Sequence, residues 1–294
     1  MRSDHLFSQI ASAHNAKKHF WGTKKMNQPL RIALIGCGAL GRIFALNTQQ
    51  LLSEHYQICA VMARQFEHAQ KLADEINTKP VHDLEELLAE KPEMVIEFAG
   101  AQALHDYAET ILSQGINLVA ASVGALADSE FKNKLLCAAQ KHHATLYIPN
   151  GAIGGLDLMR TFALMQGATL EIDNIKAPKS LNGAPYLKGE SLPNDRPITV
   201  FEGGVKEAIA GFPKNVNVAV AASLATEAIS SHVTIKSDPG TNVNTHHLTL
   251  KNALMSADIT ISSKPDPRNP KSSTSTAWSV IALLQNLASP LRFF

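Results

Sequence analysis

The sequence lacks the features that mark membrane-spanning, secreted or nucleic-acid-binding proteins. No apolar run in it approaches the roughly 20 residues that a membrane span requires. Polar residues interrupt residues 6–13 too often for the apolar part of a signal peptide. The formal net charge is only +1, which argues against an extended nucleic-acid surface and favours a small-molecule function. We therefore expect neither a membrane nor a nucleic-acid partner.

Cysteine is also scarce, and its spacing excludes two common uses. The three cysteines, Cys37, Cys59 and Cys137, form no close pair and have no metal-ligand spacing. Such a set fits the reducing cytoplasm. Cys37 and Cys59 lie in apolar stretches, where we expect small buried side chains. The sequence therefore predicts a cytoplasmic protein without a bound metal.

The first residues differ from the rest of the chain. Residues 1–28 carry five lysine or arginine residues against one acidic residue. We expect this segment to be a flexible extension, or a product of start-site choice, because Met26 lies just before the first strand. The whole chain of 294 residues is long enough for two domains with separate cores.

What the chain does contain is a glycine turn between a buried strand and an amphipathic segment, within residues 30–52. The turn has the GxGxxG pattern that binds dinucleotides at the first crossover of a βαβ unit. Its glycines allow a tight turn, close approach of a pyrophosphate and close packing of helix on strand, while the helix N-terminus attracts the diphosphate. An ordinary glycine turn is the alternative. The cofactor-binding residues predicted here are Gly36, Gly38, Ala39, Leu40 and Gly41.

The end of the second apolar strand, residues 57–62, bears on which dinucleotide binds. NAD-specific folds usually place Asp or Glu there for the ribose 2′-hydroxyl, but this chain has Ala63 and Arg64. A guanidinium can pair with a 2′-phosphate bidentately, and no carboxylate repels it. We predict that the cofactor is NADP or NAD, with tolerance of or preference for NADP. Alternatively, Arg64 stacks over the adenine.

Apolar strands alternate with helical patterns up to about residue 150. This alternation predicts an α/β fold with a Rossmann-type, doubly wound parallel sheet. Ligands in such sheets lie beyond the carboxyl ends of the strands, which places residues 98–100, 122–125 and 150–155 around the nicotinamide. None of these residues is an obvious acid or base.

The pattern changes after about Gly155. A helix is predicted over residues 156–166, and segments rich in Lys, Pro and Gly continue to about Pro197. The later strand-like segments indicate a second, mixed α/β domain with antiparallel or mixed strands. They lie at residues 198–201, 232–236, 244–251 and 257–263, with an apolar helix predicted over 215–230. Residues 271–287 carry a helical apolar stripe that we expect to pack on the first domain.

Six motifs follow one another along the chain: VIEFAG (95–100), SVGALAD (122–128), NGAIGGLD (150–157), FPKNVNVA (212–219), SDPG with NTHH (237–247) and NPKSS (269–273). In this order they resemble the L-aspartate dehydrogenase family, and the resemblance covers residues 30–287. The resemblance implies a homodimer and NAD(P)-dependent oxidation of L-aspartate to iminoaspartate. Iminoaspartate hydrolyses to oxaloacetate and ammonia or feeds NAD biosynthesis.

The resemblance also implies a division into domains. Residues 1–28 fall outside the family pattern as the extension. Residues 29–150 plus 270–294 form the dinucleotide-binding domain, and residues 151–269 form the substrate-binding and dimerisation domain.

The same resemblance assigns roles to single residues. The catalytic histidine falls on His246, and an imidazole is suited to acid–base work because it titrates near neutrality. His247 stands where many members have Glu, so we expect it to face outward. Further cofactor contacts fall on Ala152 and Asn217, and Lys271 matches a lysine placed for a substrate carboxylate or for supporting the site.

A dianionic substrate calls for two cations or anion-binding amides. Lys214 and Lys271 are the candidates, with Arg160 weaker. The alternatives are a solvated charge for each lysine and a helix-face ion pair for Arg160. Asn217 could bond the nicotinamide carboxamide or cap its own helix.

Two other functions also remain open. One is a related two-domain reductase, like dihydrodipicolinate reductase or homoserine dehydrogenase. The other is a non-catalytic NADP-binding sensor.

Overall fold

A six-stranded parallel sheet occupies the N-terminal half of the protein. The structure is a computed structural model that describes residues 28–213, 217–266 and 269–293; the predicted extension over residues 1–28 therefore lies almost wholly outside the described residues. The strand order is β3-β2-β1-β4-β5-β6, so the chain reverses its direction of winding between β1 and β4. The strands are β1 (Leu30–Ile35), β2 (Tyr56–Met62), β3 (Lys79–Val81), β4 (Met94–Glu97), β5 (Asn117–Ala120) and β6 (Leu146–Tyr147).

Helices alternate with these strands, as the apolar periodicity predicts, and the Rossmann-type fold class is confirmed. Local signals define their ends: Asp128 accepts hydrogen bonds from the N–H groups of Glu130 and Phe131 at the start of α5. The helices are α1 (Ala39–Leu52), α2 (Phe66–Ile76), α3 (Leu84–Ala89), α4 (Ala101–Ser113) and α5 (Ser129–Lys141), with a 3₁₀ helix at Val123–Ala127.

The second half of the described chain forms a five-stranded mixed sheet in the order β11-β10-β7-β9-β8. The pair β7 and β9 is parallel, and the other neighbours are antiparallel. The mixed second sheet is thus confirmed. Its strands are β7 (Thr169–Lys176), β8 (Ile198–Gly204), β9 (Ser230–Ser237), β10 (Asn244–Lys251) and β11 (Ser256–Ser263).

Helices pack against this sheet and share its apolar core. Phe162 and Phe212 are among the largest fully buried side chains there. Val220 and Ala221 belong instead to the core of the parallel sheet, so α9 packs on both halves of the molecule. The helices are α6 (Leu156–Met165), α7 (Pro178–Leu181), α8 (Val205–Gly211) and α9 (Asn217–Thr226), with a 3₁₀ helix at Pro185–Leu187.

Strand β7 lies in the segments rich in Lys, Pro and Gly up to about Pro197, for which the sequence predicted no strand. Leu170 and Ile172 alternate toward the core as in an ordinary strand, but Asn174 and Lys176 occupy the next two inward positions and are buried. Polar residues at inward positions obscure the alternation that identifies a strand. The central strand of the second sheet therefore escaped prediction.

The C-terminal segment folds back onto the parallel sheet. The prediction of one helix over residues 271–287 is wrong at its start, because β12 (Pro265–Asp266) and β13 (Asn269–Ser273) pair before α10 (Ser275–Ala288) begins. Buried side chains of α10 join the core formed with α1. The Tyr56 hydroxyl also donates a hydrogen bond of 2.8 Å to the Leu284 carbonyl.

The two cysteines expected to be buried differ slightly. Cys59 is buried, whereas Cys37 is half-buried with its Sγ 3.5 Å from the Met62 carbonyl oxygen. Burial raises the pKa of both thiols, that of Cys37 to about 12. No helix in the described ranges is both long and apolar enough to cross a membrane.

Candidate active site

The glycine turn is shaped to accept a diphosphate. Gly36 has a φ of +105°, and a Cβ there would lie 2.6 Å from the Phe98 carbonyl carbon. A Cβ on Gly41 would overlap the Gly36 carbonyl oxygen, whereas one on Gly38 would meet nothing within 4 Å. Packing within the chain thus requires glycine at positions 36 and 41. At Gly38 the space at the start of α1 is open. The N–H groups of Ala39, Leu40 and Gly41 begin that helix, which suits an anion.

A buried carboxylate joins the loops that follow β4 and β5. Glu97 is 2% exposed, and it accepts hydrogen bonds from the N–H groups of Ala99 (2.6 Å), Gly100 (2.8 Å) and Ser122 (3.0 Å). The Ser122 hydroxyl donates a fourth, at 2.8 Å. Burial raises the pKa of Glu97, and these four bonds oppose that rise. The sequence prediction missed this residue, although a Glu that ends an apolar strand is a recognisable signal.

A cavity of about 840 Å³ lies beyond the carboxyl ends of these strands, and both sheets contribute to its lining. The loops after β4, β5 and β6 line one side, including residues 98–101, 121–125 and 149–152. Lys176, Asn244 and His246 line it from the second sheet. Of the predicted site residues, those that line the cavity are Leu40, Ala152, Asn217 and His246.

His246 lies on the face of the second sheet that lines the cavity. It is 3% exposed, and its Nδ1 lies 2.6 Å from Oδ1 of Asn174, its register partner across β7. Because an amide oxygen only accepts, Nδ1 donates and Nε2 keeps the lone pair. Burial and the nearby Lys176 lower the pKa of His246 to about 3. The imidazole is therefore neutral, with an unprotonated Nε2.

Lys176 is the second ionisable group on this face of the second sheet. It is 5% exposed, and burial lowers the pKa of its ammonium to about 8. Neither Lys176 nor Asn174 was predicted as a site residue. The available signal was the pair of polar residues at inward positions of one strand, since such residues are seldom buried without a role.

Asn217 joins the two halves of the site. It is the first residue of α9, and its Oδ1 accepts a hydrogen bond of 2.9 Å from the Gly124 N–H in the loop after β5. One acceptor position of Oδ1 is thus used by the loop after β5, and the interpretation of Asn217 as a nicotinamide contact stays a prediction. Nδ2 remains as a donor toward the cavity that Asn217 lines.

The other predicted residues are placed as follows. Arg64 is exposed two residues beyond β2, and Arg160 pairs with Glu227 at 2.6 Å, away from this cavity. Lys214 lies outside the described residues, as does the side chain of Lys271, whose backbone belongs to β13. Thus the helix-face ion pair is the correct interpretation of Arg160.

His247 points away from this cavity. It lies on the opposite face of β10, with its ring nitrogens 2.7 Å from the Thr260 hydroxyl and 3.1 Å from the Thr249 hydroxyl. The expectation that it faces outward, away from His246, is confirmed.

A dinucleotide-binding parallel sheet, joined to a second sheet that supplies a basic imidazole to the same cavity, defines a two-domain NAD(P)-dependent oxidoreductase. Family profiles agree: "Homoserine dehydrogenase, NAD binding domain" matches residues 36–149 and "Aspartate dehydrogenase, C-terminal" matches residues 157–287. The chain belongs to the L-aspartate dehydrogenase family. Its cofactor is NAD or NADP.

Individual relatives support this assignment over nearly the whole chain. The L-aspartate dehydrogenase of Methanocaldococcus jannaschii is 32% identical over 90% of this chain and 98% of its own. That of Methanococcus maripaludis strain C6 is 34% identical with the same coverage. The crystal structure of aspartate dehydrogenase from Thermotoga maritima superposes with a TM-score of 0.71 at 26% identity, covering 90% of this chain and 99% of that one. A hyperthermophilic archaeal homoserine dehydrogenase bound to NADPH, 12% identical with a TM-score of 0.56, shares the fold.

Glu97 provides a test of how the cofactor loops are held. In Glu97→Gln an amide NH₂ replaces one carboxylate oxygen and faces backbone donors. We expect the free energy of unfolding to fall by about 1–3 kcal/mol and the dissociation constant for the cofactor to rise about tenfold. Urea unfolding and NADPH fluorescence titration measure the two effects. The exposed Glu54→Gln serves as the control, and equal values for the two variants would contradict this role of Glu97.

Proposed function

We propose that this protein catalyses the reversible NAD(P)-dependent oxidative deamination of L-aspartate. The products are iminoaspartate, which feeds NAD biosynthesis, and, after hydrolysis, oxaloacetate and ammonia. The observation that carries the proposal is the neutral His246, oriented by Asn174 in the cavity that the cofactor loops line. The names of the aligned relatives support aspartate as the substrate.

The residues of the chain supply binding and proton transfer. The amine must lose a proton before oxidation, and Nε2 of His246 is the unprotonated nitrogen that accepts it. The nicotinamide, when bound, would supply the acceptor for the hydride that leaves Cα, so that the amine becomes an iminium. His246 passes this first proton to solvent and then takes one from the water that adds to the iminium carbon. It returns that proton to the amino group of the carbinolamine, so that ammonia departs as the hydroxyl proton goes to solvent and the carbonyl of oxaloacetate forms.

The low pKa of His246 suits this role once the substrate is present. Burial and the Lys176 ammonium disfavour the imidazolium. Two substrate carboxylates beside the ring would favour the cation and raise that pKa toward neutrality. Proton transfer to His246 is therefore coupled to the presence of a dianion.

Replacing His246 tests the proposal directly. We expect His246→Ala to lower kcat for L-aspartate by about 10²–10⁴-fold, as loss of a general base does, with the cofactor dissociation constant unchanged. His247→Ala, one residue away on the opposite face, should keep near-normal activity. Steady-state NAD(P)H absorbance measures both, and aspartate oxidation that survives in His246→Ala would refute the assignment.

The cofactor is proposed to be NADP as well as NAD. Arg64 is exposed just beyond β2, where a 2′-phosphate would lie, and a guanidinium pairs with phosphate through two hydrogen bonds. This choice is independent of the substrate.

We expect Arg64→Asp to raise the KM for NADP about tenfold or more and to change the KM for NAD little, since a carboxylate there repels only the 2′-phosphate. Lys141→Asp makes the same charge change on the exposed end of α5 and should alter neither constant. An unchanged ratio of the two KM values in Arg64→Asp would dispose of this role.

The protein is also proposed to act in the cytoplasm as a homodimer. Unpaired cysteines support the compartment, and the family resemblance supports the assembly. Light scattering should give about twice the chain mass of 31.7 kDa. A mass of one chain at micromolar concentration would contradict the dimer.

A further inference from the structure

We propose that Lys176 binds a carboxylate of the substrate and so makes the site selective for an acidic amino acid. This inference rests on the proposed function, because it names the group that recognises the substrate of that reaction. No residue role assigned above from the sequence includes it.

Register places Lys176 beside the proposed base. It ends β7, two residues after Asn174, and alternate residues of a strand share a face. Asn174 pairs with His246 across the antiparallel β7–β10 ladder. Lys176 and His246 are thus diagonal neighbours on one face, close enough for a long side chain to reach. Both line the cavity.

Burial makes a carboxylate a fitting ligand for this ammonium. Lys176 is 5% exposed, and an ion pair formed away from water is stronger than one at the protein surface. Its pKa of about 8 leaves it mostly protonated at neutral pH. A carboxylate that enters the cavity loses its hydration, and the contact with the ammonium offsets part of that cost.

The other ionisable side chains around the cavity are not placed to bind the substrate carboxylate. Asp128 is occupied in capping α5, and His105 packs on the Phe131 ring with centroids 4.0 Å apart, both on the side of the parallel sheet. On the neighbouring strands, Ser237 pairs with Lys176 and Asn244 lies near it; both are uncharged. Of the described side chains that line the cavity, Lys176 therefore supplies the cationic charge at neutral pH.

Succinate is the probe, because it carries both carboxylates of aspartate but no amine. Its affinity for the enzyme–NADPH complex can be measured by fluorescence titration without turnover. We expect Lys176→Met to weaken succinate binding and to raise the KM for aspartate by about 30-fold or more. The dissociation constant for NADPH should stay within about twofold of wild type.

Two further variants control for structural damage. Lys176→Arg keeps the charge and should recover most of the succinate affinity. Lys236→Met removes a lysine from the adjacent strand on the opposite face, where it lies 3.4 Å from Asp173. An exposed ion pair contributes little, so this variant should behave like wild type.

The pH profile separates a charge contact from a packing role. Succinate keeps both charges above neutrality, so only the protein titrates. In the wild type, succinate affinity should fall about tenfold per pH unit above pH about 8 as Lys176 loses its proton. In Lys176→Arg this fall should be absent, because a guanidinium stays charged.

The outcomes distinguish this inference from the proposed function. Succinate affinity unchanged in Lys176→Met overturns the inference, even if wild type oxidises aspartate normally. A fall in kcat alone, with unchanged succinate affinity, overturns it in favour of a proton-transfer role. If wild type oxidises no aspartate, the proposed function fails, and succinate titration still decides whether Lys176 binds carboxylates.

Discussion

The hydrogen bond between Asn174 and His246 is the contact on which the candidate site depends. It fixes the imidazole tautomer and ring orientation inside the second sheet, where a buried ring needs a partner. An amide in place of the more common carboxylate adds no negative charge, so it does not stabilise the imidazolium. With the Lys176 ammonium nearby, the ring stays neutral. In the proposed reaction, a dianionic substrate would itself enable the proton transfer.

Two other polar contacts position the face of the second sheet that carries His246 relative to the loops predicted to bind the cofactor. Glu97 holds the loops after β4 and β5 in one arrangement through four hydrogen bonds. Asn217 then ties the second of those loops to α9, whose apolar residues enter both cores. The position of His246 relative to the nicotinamide thus follows from packing as well as from the loops. Substitutions in α9 far from the cavity are expected to act on catalysis through this geometry.

The sequence predicted the parts of this protein whose signal is local. The glycine turn, the alternation of strands and helices and the motif that contains His246 each lie within a few consecutive residues. Strand β7 escaped because Asn174 and Lys176 replace apolar residues at inward positions, and only the fold reveals that these face the cavity. Glu97 escaped for a related reason: Ala99 and Gly100 follow it in the chain, but its partner Ser122 becomes a neighbour only when β4 and β5 pair.

The central claim is that this cavity oxidises L-aspartate with a nicotinamide cofactor. A direct measurement is reduction of NAD and of NADP by the purified protein with a panel of amino acids that includes L-aspartate, L-asparagine, L-glutamate and L-homoserine. We predict cofactor reduction with L-aspartate, accompanied by release of ammonia and oxaloacetate, and little with the others. Absence of aspartate oxidation with either cofactor, or faster oxidation of homoserine, would contradict the account.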